Sequence, residues 1–290
     1  MILISSLRSE AGELSERHPF KVLKKPKFQS SSLVVGWNED AGQLGPGVID
    51  YLTGELGGER FGEIEPEDFF SLSGIRVEHD VAQFPESNFY SCHKNNLVIF
   101  RSTPPGFEWY KFLNSILDVA EHHCGTKELY TIGGMVALAA HTTSRALLAT
   151  TSSQEVKESL KQYDLVRDMD YQTPPGQRPT LNSFLLWLAS RRNIAGVSLW
   201  VPIPFYLVTN EDPRAQKKVL QFFDERLGLN IDFGDIDHAI QKQSEKLAQA
   251  RVRLPEVDDY ILRLESNLRL SQEENERLTT EVEEFLREEE

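Results

Sequence analysis

The chain of 290 residues is long enough to bury a large apolar core in one α/β domain or in two small ones. Its formal net charge of −14 argues against nucleic acid as a partner, because an acidic surface repels phosphates. The cysteines, Cys92 and Cys124, have the spacing of neither a disulfide framework nor a zinc site. No apolar run reaches the length of a membrane span, and the apolar start at 1–4 is shorter than a signal-peptide core. We therefore expect a cytoplasmic protein that contacts no membrane.

The first third of the chain predicts a lead-in followed by the start of a sheet. We expect an extended lead-in at 1–30 and a buried strand at 33–36, where the residues are apolar and rich in β-formers. Pro66 predicts a short helix through Phe70. Two further strands are expected at 88–92 and 96–100, the former as an edge strand or a hairpin arm. A long amphipathic helix follows, with one apolar face: Phe107, Tyr110, Leu113, Leu117 and Ala120.

Strands and helices continue to alternate in the middle of the chain. We predict the following elements: a strand at 129–132 that stops at Gly133-Gly134, a helix at 135–141, a strand at 146–149, a helix at 180–191, a strand at 197–201 and a helix at 213–227. Apolar strands alternating with amphipathic helices indicate an α/β fold with a mostly parallel sheet covered on both faces. We place this core domain at 31–233.

The remaining segment, 234–290, predicts a helical extension broken at Leu254-Pro255. Nine glutamates and two arginines in the last twenty residues supply half of the net charge of −14. From 255 onward, apolar residues fall on alternating three- and four-residue steps, which is the seam of a coiled coil. The seam comprises Ile261, Leu264, Leu268, Ser271, Asn275, Leu278, Val282 and Phe285. Two interpretations stay open: a self-association helix, or a charged helix that lies on its own domain.

The turn after the first strand carries the strongest concentration of site-like residues. Trp37, Asn38, Glu39 and Asp40 follow the strand and precede a helical pattern, at the place where an open α/β sheet commonly binds its ligand. Paired carboxylates could share a proton or bind a cation through oxygen. Alternatively, Asp40 or Asn38 caps the helix that begins near Leu44.

Other polar residues near predicted strand ends are candidates for binding. Gly133-Gly134 could expose N–H groups to an anion or could allow close packing of the strand. His141 and Arg145 flank three hydroxyl residues and could recognise a phosphate or carboxylate, or could form an ordinary polar loop. With Arg101, we take Trp37, Asn38, Asp40, His141 and Arg145 as binding candidates. The motifs form no complete catalytic set, so we predict no catalytic residue, no metal and no cofactor.

Several motifs, in their order along the chain, resemble the proteasome assembly chaperone two family. The turn Gly36-Trp37-Asn38-Glu39-Asp40-Ala41-Gly42 is similar to that family's glycine-tryptophan-x-aspartate-alanine-glycine turn, with one acidic residue more. Pro66-Glu67-Asp68-Phe69-Phe70 resembles its proline-glutamate-aspartate-phenylalanine-tyrosine segment. Ser198-Leu199-Trp200 matches its serine-leucine-tryptophan stretch, although Phe205 stands where the family has histidine.

The resemblance implies a three-layer α/β/α sandwich similar to that of nucleoside phosphorylases and hydrolases. It also implies a self-assembling protein, with a homotrimer as the expected state. We therefore predict a non-enzymatic, assembly-chaperone-like protein that binds a protein client of unknown identity. The alternative is a phosphorylase- or hydrolase-like enzyme that acts on a nucleoside-type or phosphorylated small molecule, an analogy that rests on the fold.

Overall fold

The computed structural model describes residues 19–71, 76–78, 80–166 and 168–288, so most of the predicted lead-in at 1–30 lies outside it. The strands are β1 Phe20–Val22, β2 Ser31–Trp37, β3 Glu59–Ile64, β4 Arg76–Glu78, β5 Val81–Gln83, β6 Ser87–Cys92, β7 Leu97–Ser102, β8 Thr126–Ala137, β9 Leu148–Thr151 and β10 Ala195–Pro204. The helices are α1 Leu44–Glu55, α2 Trp109–Cys124, α3 Gln154–Ser159, α4 Leu181–Arg191, α5 Pro213–Leu227, α6 Gly234–Arg253, α7 Pro255–Glu265 and α8 Gln272–Glu288. Short 3-10 turns lie at Ala41–Gln43, Pro66–Asp68, His93–Asn95 and Phe205–Leu207.

Eight of the described strands form one mixed sheet in the order β1-β3-β6-β7-β2-β8-β10-β9. Its four central strands, β7, β2, β8 and β10, are parallel, whereas the neighbours on both sides pair antiparallel. The α/β class is confirmed, but the prediction of a mostly parallel sheet was too simple. The link from β6 to β7 is the short turn at His93–Asn95, which can form a hairpin but not a parallel crossover. The strand predicted at 88–92 is therefore a hairpin arm inside the sheet and not an edge.

Apolar side chains fill two cores, and successive residues of β2 point alternately into them. Leu33 and Val35 belong to one core and Val34 to the other, as the two-residue period of a strand requires. Helices α2 and α4 contribute to the first core, while α1, α5 and the C-terminal helices contribute to the second. This double burial explains why β2 is apolar at nearly every position.

The strand predicted to stop at Gly133-Gly134 continues through both glycines to Ala137, so the helix predicted at 135–141 was wrong. Strand β8 remains paired with β10 up to Ala137 opposite Pro204. A Cβ on Gly133 would lie 2.5 Å from the ring of Trp200, and a Cβ on Gly134 would lie 2.3 Å from the carbonyl oxygen of Ala41. The glycines are thus needed for close packing within and above the sheet, not for ending the strand.

The C-terminal helices fold back onto the chain's own core instead of continuing as one helix. Asn267, at a φ of 58°, ends α7 in the left-handed conformation typical of a helix C-cap. The Ser271 hydroxyl then accepts from the amide of Glu274, and the Glu274 carboxylate accepts from the amide of Ser271 at 2.6 Å. This reciprocal capping box starts α8 as a separate helix. The seam predicted from 255 onward is therefore divided between two helices.

The apolar residues of that seam are buried within the chain. Ile261 of α7 and Leu278 and Val282 of α8 are fully buried in the same core that receives α1 and α5. The interpretation of a charged helix lying on its own domain describes this arrangement. Pairing of the seam between chains, and a domain boundary at residue 234, remain predictions. Among the described residues, no helix is both long and apolar enough to cross a membrane.

Candidate functional site

Trp37, the last residue of β2, is part of the fold's interior. Its side chain is 5 % exposed, and its indole N–H donates to the amide oxygen of Asn182 at 2.6 Å. The amide nitrogen of Asn182 in turn donates to the carbonyl of Ile132 in β8 at 2.9 Å. Trp37 therefore joins β2, α4 and β8, and its polar atom is already used in this chain of hydrogen bonds.

Asp40 holds the turn after β2 against the neighbouring strand. Its Oδ1 accepts from the amides of Ala41 at 3.0 Å and Gly134 at 2.8 Å, and its Oδ2 accepts from the amide of Gly45 at 2.9 Å. Burial raises the pKa of the Asp40 carboxyl from 3.8 to about 6, although the three backbone donors act in the opposite direction. Asp40 is the N-cap of the 3-10 turn Ala41–Gln43, and its bond to the amide of Gly45 reaches the first turn of α1, whose own N-cap is Gln43. The capping interpretation of Asp40 therefore holds for this turn and not for the N-cap position of α1. The amide of Gly134 is occupied by this carboxylate, which leaves it unavailable for an anion.

Asn38 and Arg101 form the more open part of the turn. The side-chain oxygen of Asn38 accepts from Nε of Arg101 at 2.7 Å, and the Arg101 guanidinium also pairs with Asp50 of α1. The side chain of Arg101 is 34 % exposed and that of Asp50 is 59 % exposed, so solvent reaches this pair. Two of the predicted site residues are thus brought together where a small anion could reach the guanidinium.

His141 lies in a buried polar contact with Tyr206, beyond the end of β10. The backbone amide of His141 donates to the Tyr206 hydroxyl at 2.6 Å, and Nδ1 of the imidazole lies 2.9 Å from the same oxygen. Burial, together with the positive charges of Arg251 and Arg145, lowers the pKa of His141 to about 4. The imidazole is therefore neutral at physiological pH, and its Nδ1 can accept a hydrogen bond from the Tyr206 hydroxyl.

Arg145 is engaged in a fully buried ion pair with Asp212. Its Nε donates to Oδ2 of Asp212 at 2.8 Å, and its Nη1 donates to the carbonyl of Thr143. The second carboxylate oxygen of Asp212 accepts from the amide of Ala215 and thereby caps α5, while the amide of Asp212 donates to the carbonyl of Gly42. The guanidinium of Arg145, which we expected to bind a ligand, is therefore directed at Asp212, the N-cap residue of α5.

The structure thus divides the six predicted binding residues among three places. Asp40 and Trp37 join the turn to β8 and α4, and Asn38 and Arg101 form an open pair. His141 and Arg145 lie in a polar loop that contacts Tyr206 and the N-cap of α5. The partners Asn182, Tyr206 and Asp212 were not predicted from the sequence. Of these, Asp212 had a recognisable signal, because an aspartate directly before Pro213 is a typical helix start.

Cavities and thiols lie away from these residues. Within the described chain, two open cavities of about 350 Å³ are lined by other side chains, including Lys157 and Asp168 in one and Lys218 and Asp224 in the other. Burial raises the pKa of the Cys92 thiol to about 11 and that of Cys124 to about 12, so neither thiol is activated. No cluster of three or more potential metal ligands occurs among the described residues.

Together, these observations define an α/β protein in which four of the six candidate side chains at the strand ends bind other elements of the chain itself: Trp37, Asp40, His141 and Arg145. The model of the PAC2 family matches residues 33–251. The chain therefore belongs to the PAC2 family, which confirms the resemblance carried by the Gly36–Gly42 turn. No curated protein sequence matches the chain.

Solved structures show the same fold at low sequence identity. The Mycobacterium tuberculosis proteasome-assembly chaperone homologue Rv2125 has a TM-score of 0.64 at 18 % identity, covering 75 % of this chain and 94 % of its own. The archaeal proteasome activator PbaB of Pyrococcus furiosus has a TM-score of 0.64 at 21 % identity, covering 80 % and 98 %. Rv2714 of M. tuberculosis, of unknown function, has a TM-score of 0.74 at 16 % identity, covering 87 % and 89 %. At these identities the likeness establishes the fold alone.

Proposed function

We propose that the protein is a non-enzymatic, assembly-chaperone-like protein that acts as a homo-oligomer and binds a protein client. The observation that carries this proposal is the use of the strand-end polar residues. Oδ1 of Asp40, Nδ1 of His141 and Nε of Arg145 are each hydrogen-bonded within the chain. The buried Nη2 of Arg145 makes no hydrogen bond among the described residues, but it lies 2.8 Å from the carboxylate of Asp212. A site that activates a small molecule needs such groups directed at a reacting atom. Family membership adds independent support for a protein-binding role.

The oligomer that we propose is a homotrimer, and the client is a folded protein subunit. The relatives described as a proteasome-assembly chaperone homologue and as a proteasome activator suggest proteasome subunits as the first client to test. We also interpret the sheet with its two helix-lined cores as a three-layer α/β/α sandwich of the phosphorylase kind. The cytoplasmic location remains part of the same proposal.

Light scattering during size exclusion of the full chain tests the oligomer. We expect a mass of three times the 33.1 kDa chain at micromolar concentration, and a mass of one chain throughout the range would overturn the self-association. Purified α- and β-type proteasome subunits of the source organism test the client. Co-elution of these subunits with the protein is expected. Unchanged elution of both would reject the proteasome as the client and leave the oligomer standing.

The enzyme alternative has one observation in its favour, the solvent-reached guanidinium of Arg101 beside Asn38. A thermal-shift panel of nucleosides, nucleotides and inorganic phosphate tests it, with Arg101→Met as the matched variant. A ligand that binds through Arg101 would raise the melting temperature of the wild type but not that of the variant. We expect no ligand in the panel to show this difference. A ligand that does so binds through this guanidinium, and the alternative would then replace our proposal.

A further inference from the structure

An exposed aromatic patch lies where α2 packs beside α4. The rings of Phe184 and Trp187 stack with centroids 5.4 Å apart, and the ring of Tyr110 lies 6.3 Å from that of Phe184. Tyr110 is 61 % exposed and Trp187 is 47 % exposed, although both are large and mostly apolar. The guanidinium carbon of Arg191 lies 5.2 Å from the centre of the Trp187 ring. These four side chains form what we call the α4 patch.

The α4 patch differs in charge from the rest of this acidic protein. Helix α4 contains no aspartate or glutamate, and its outward residues are serine, aromatic or basic: Ser183, Phe184, Trp187, Ser190 and Arg191. The carboxylates of Asp118 and Glu121 on the neighbouring helix α2 are paired with Arg192. For a chain with a formal net charge of −14, close approach of two copies is repulsive over most of the surface. Helix α4 adds no carboxylate to that repulsion.

The composition of the patch is that of an interface centre. Tryptophan, tyrosine and arginine are enriched in the buried centre of protein interfaces, and aspartate and glutamate are depleted there. Aromatic rings can also pack against identical rings, so one patch can face its own symmetry mate. A patch that lies on a symmetry axis meets itself in a dimer and in a trimer.

We propose that the α4 patch is the face through which copies of this chain contact one another. Trp187 and Tyr110 of each copy pack against those of its neighbour around the symmetry axis, and Arg191 extends the contact at its margin. The inference rests on the homo-oligomer proposed above and assigns its interface. It does not depend on the identity of the client.

Truncation of the exposed rings tests the assignment. The variants Trp187→Ala and Tyr110→Ala are compared with Leu262→Ala, in which an α7 side chain of nearly equal exposure, 48 %, is truncated. We expect sedimentation equilibrium of the full chain to give a dissociation constant at least about tenfold higher for the two patch variants, as for a central aromatic contact. Leu262→Ala should match the wild type. Urea unfolding of each variant identifies any loss that comes from misfolding.

A cysteine cross-link provides a second measurement that does not weaken the contact. Ser190 is exposed one turn beyond Trp187, whereas Thr280 is exposed on α8. The native thiols of Cys92 and Cys124 are at most 1 % exposed, so an added cysteine is the reactive one. Oxidation should join two chains of Ser190→Cys and leave Thr280→Cys as single chains.

Two results overturn the assignment. An oligomeric wild type whose mass is unchanged by Trp187→Ala and Tyr110→Ala, with no cross-link at Ser190→Cys, places the interface elsewhere and leaves the homo-oligomer intact. A wild type that is monomeric at every concentration removes both the interface and the oligomer.

Discussion

Replacement of Asp40 by alanine is the perturbation that most directly tests how the family's turn is held. The carboxylate accepts three backbone hydrogen bonds, from Ala41, Gly45 and Gly134. Two of these donors belong to the turn and the start of α1, while the third belongs to β8. Asp40→Ala leaves all three N–H groups without their acceptor in a site that the helix and strand keep closed.

The free energy of unfolding should fall by about 2–4 kcal/mol above pH 7. Loss of an N-terminal helix cap typically costs about 0.5–2 kcal/mol. An unpaired buried N–H, as left at Gly134, costs about 1–3 kcal/mol. The neighbouring Glu39 is exposed, so Glu39→Ala should change the stability by less than about 0.5 kcal/mol and serves as the control.

The deficit of Asp40→Ala, meaning the amount by which its free energy of unfolding lies below that of the wild type, should grow as the pH falls. Because burial raises the pKa of Asp40 from 3.8 to about 6, the folded wild type binds a proton that the unfolded chain does not bind in this range. The wild type therefore gains stability as the pH falls through 6, and this gain is complete below 3.8. The variant lacks this gain. Linkage predicts a deficit about 1.4 kcal/mol larger at pH 5 than at pH 8.

Urea unfolding at fixed chain concentration, followed by circular dichroism at pH 8 and pH 5, measures both quantities. A deficit below about 1 kcal/mol at pH 8 would contradict the three-bond role of Asp40. A deficit that is equal or smaller at pH 5 would contradict the effect of burial on its pKa.

Three further predictions concern other parts of the fold. Arg145→Met leaves the carboxylate of Asp212 buried without its partner and should cost about 3–5 kcal/mol in urea unfolding; an unchanged midpoint would show that the pair is dispensable. Gly134→Ala must displace a backbone carbonyl and should lower the melting temperature by more than 5 °C, roughly the effect of 2 kcal/mol. Its control Gly54→Ala has open space in α1 and should raise that temperature; equal effects would refute the packing argument. Asn275→Leu removes a buried side-chain oxygen that has no hydrogen-bond partner among the described residues. It should raise the free energy of unfolding in urea by about 1 kcal/mol, whereas a lower free energy would mean that the oxygen is hydrogen-bonded.

Local sequence signals located most of the elements. The helix at 213–227 follows from its proline start and apolar spacing, and the structure has it as Pro213–Leu227. The turn at Ser271 and Glu274 also had a local signal, the capping box, although the regular heptad spacing obscured it. Periodicity describes which face of a helix is apolar, but it does not report where the helix stops.

The glycine pair in β8 had no such local signal. Two adjacent glycines after a short apolar run fit the end of a strand as well as its middle. The choice depended on Trp200 and Ala41, whose packing above the strand is visible only once the sheet order is known. The helix predicted after Gly134 was wrong for the same reason.

The sequence by itself determined the α/β class, the buried central strands and the family, because these depend on composition, on period and on short motifs. Only the tertiary structure decided what the site residues do. Asp40 and Gly134 are 94 positions apart, and Trp37 and Asn182 are 145 apart. Polar side chains bind whichever partner the fold brings within hydrogen-bonding distance, and that partner is chosen by the order of strands in the sheet. The turn at Trp37–Asp40 has the composition of an active site, and its contacts are those of a structural junction.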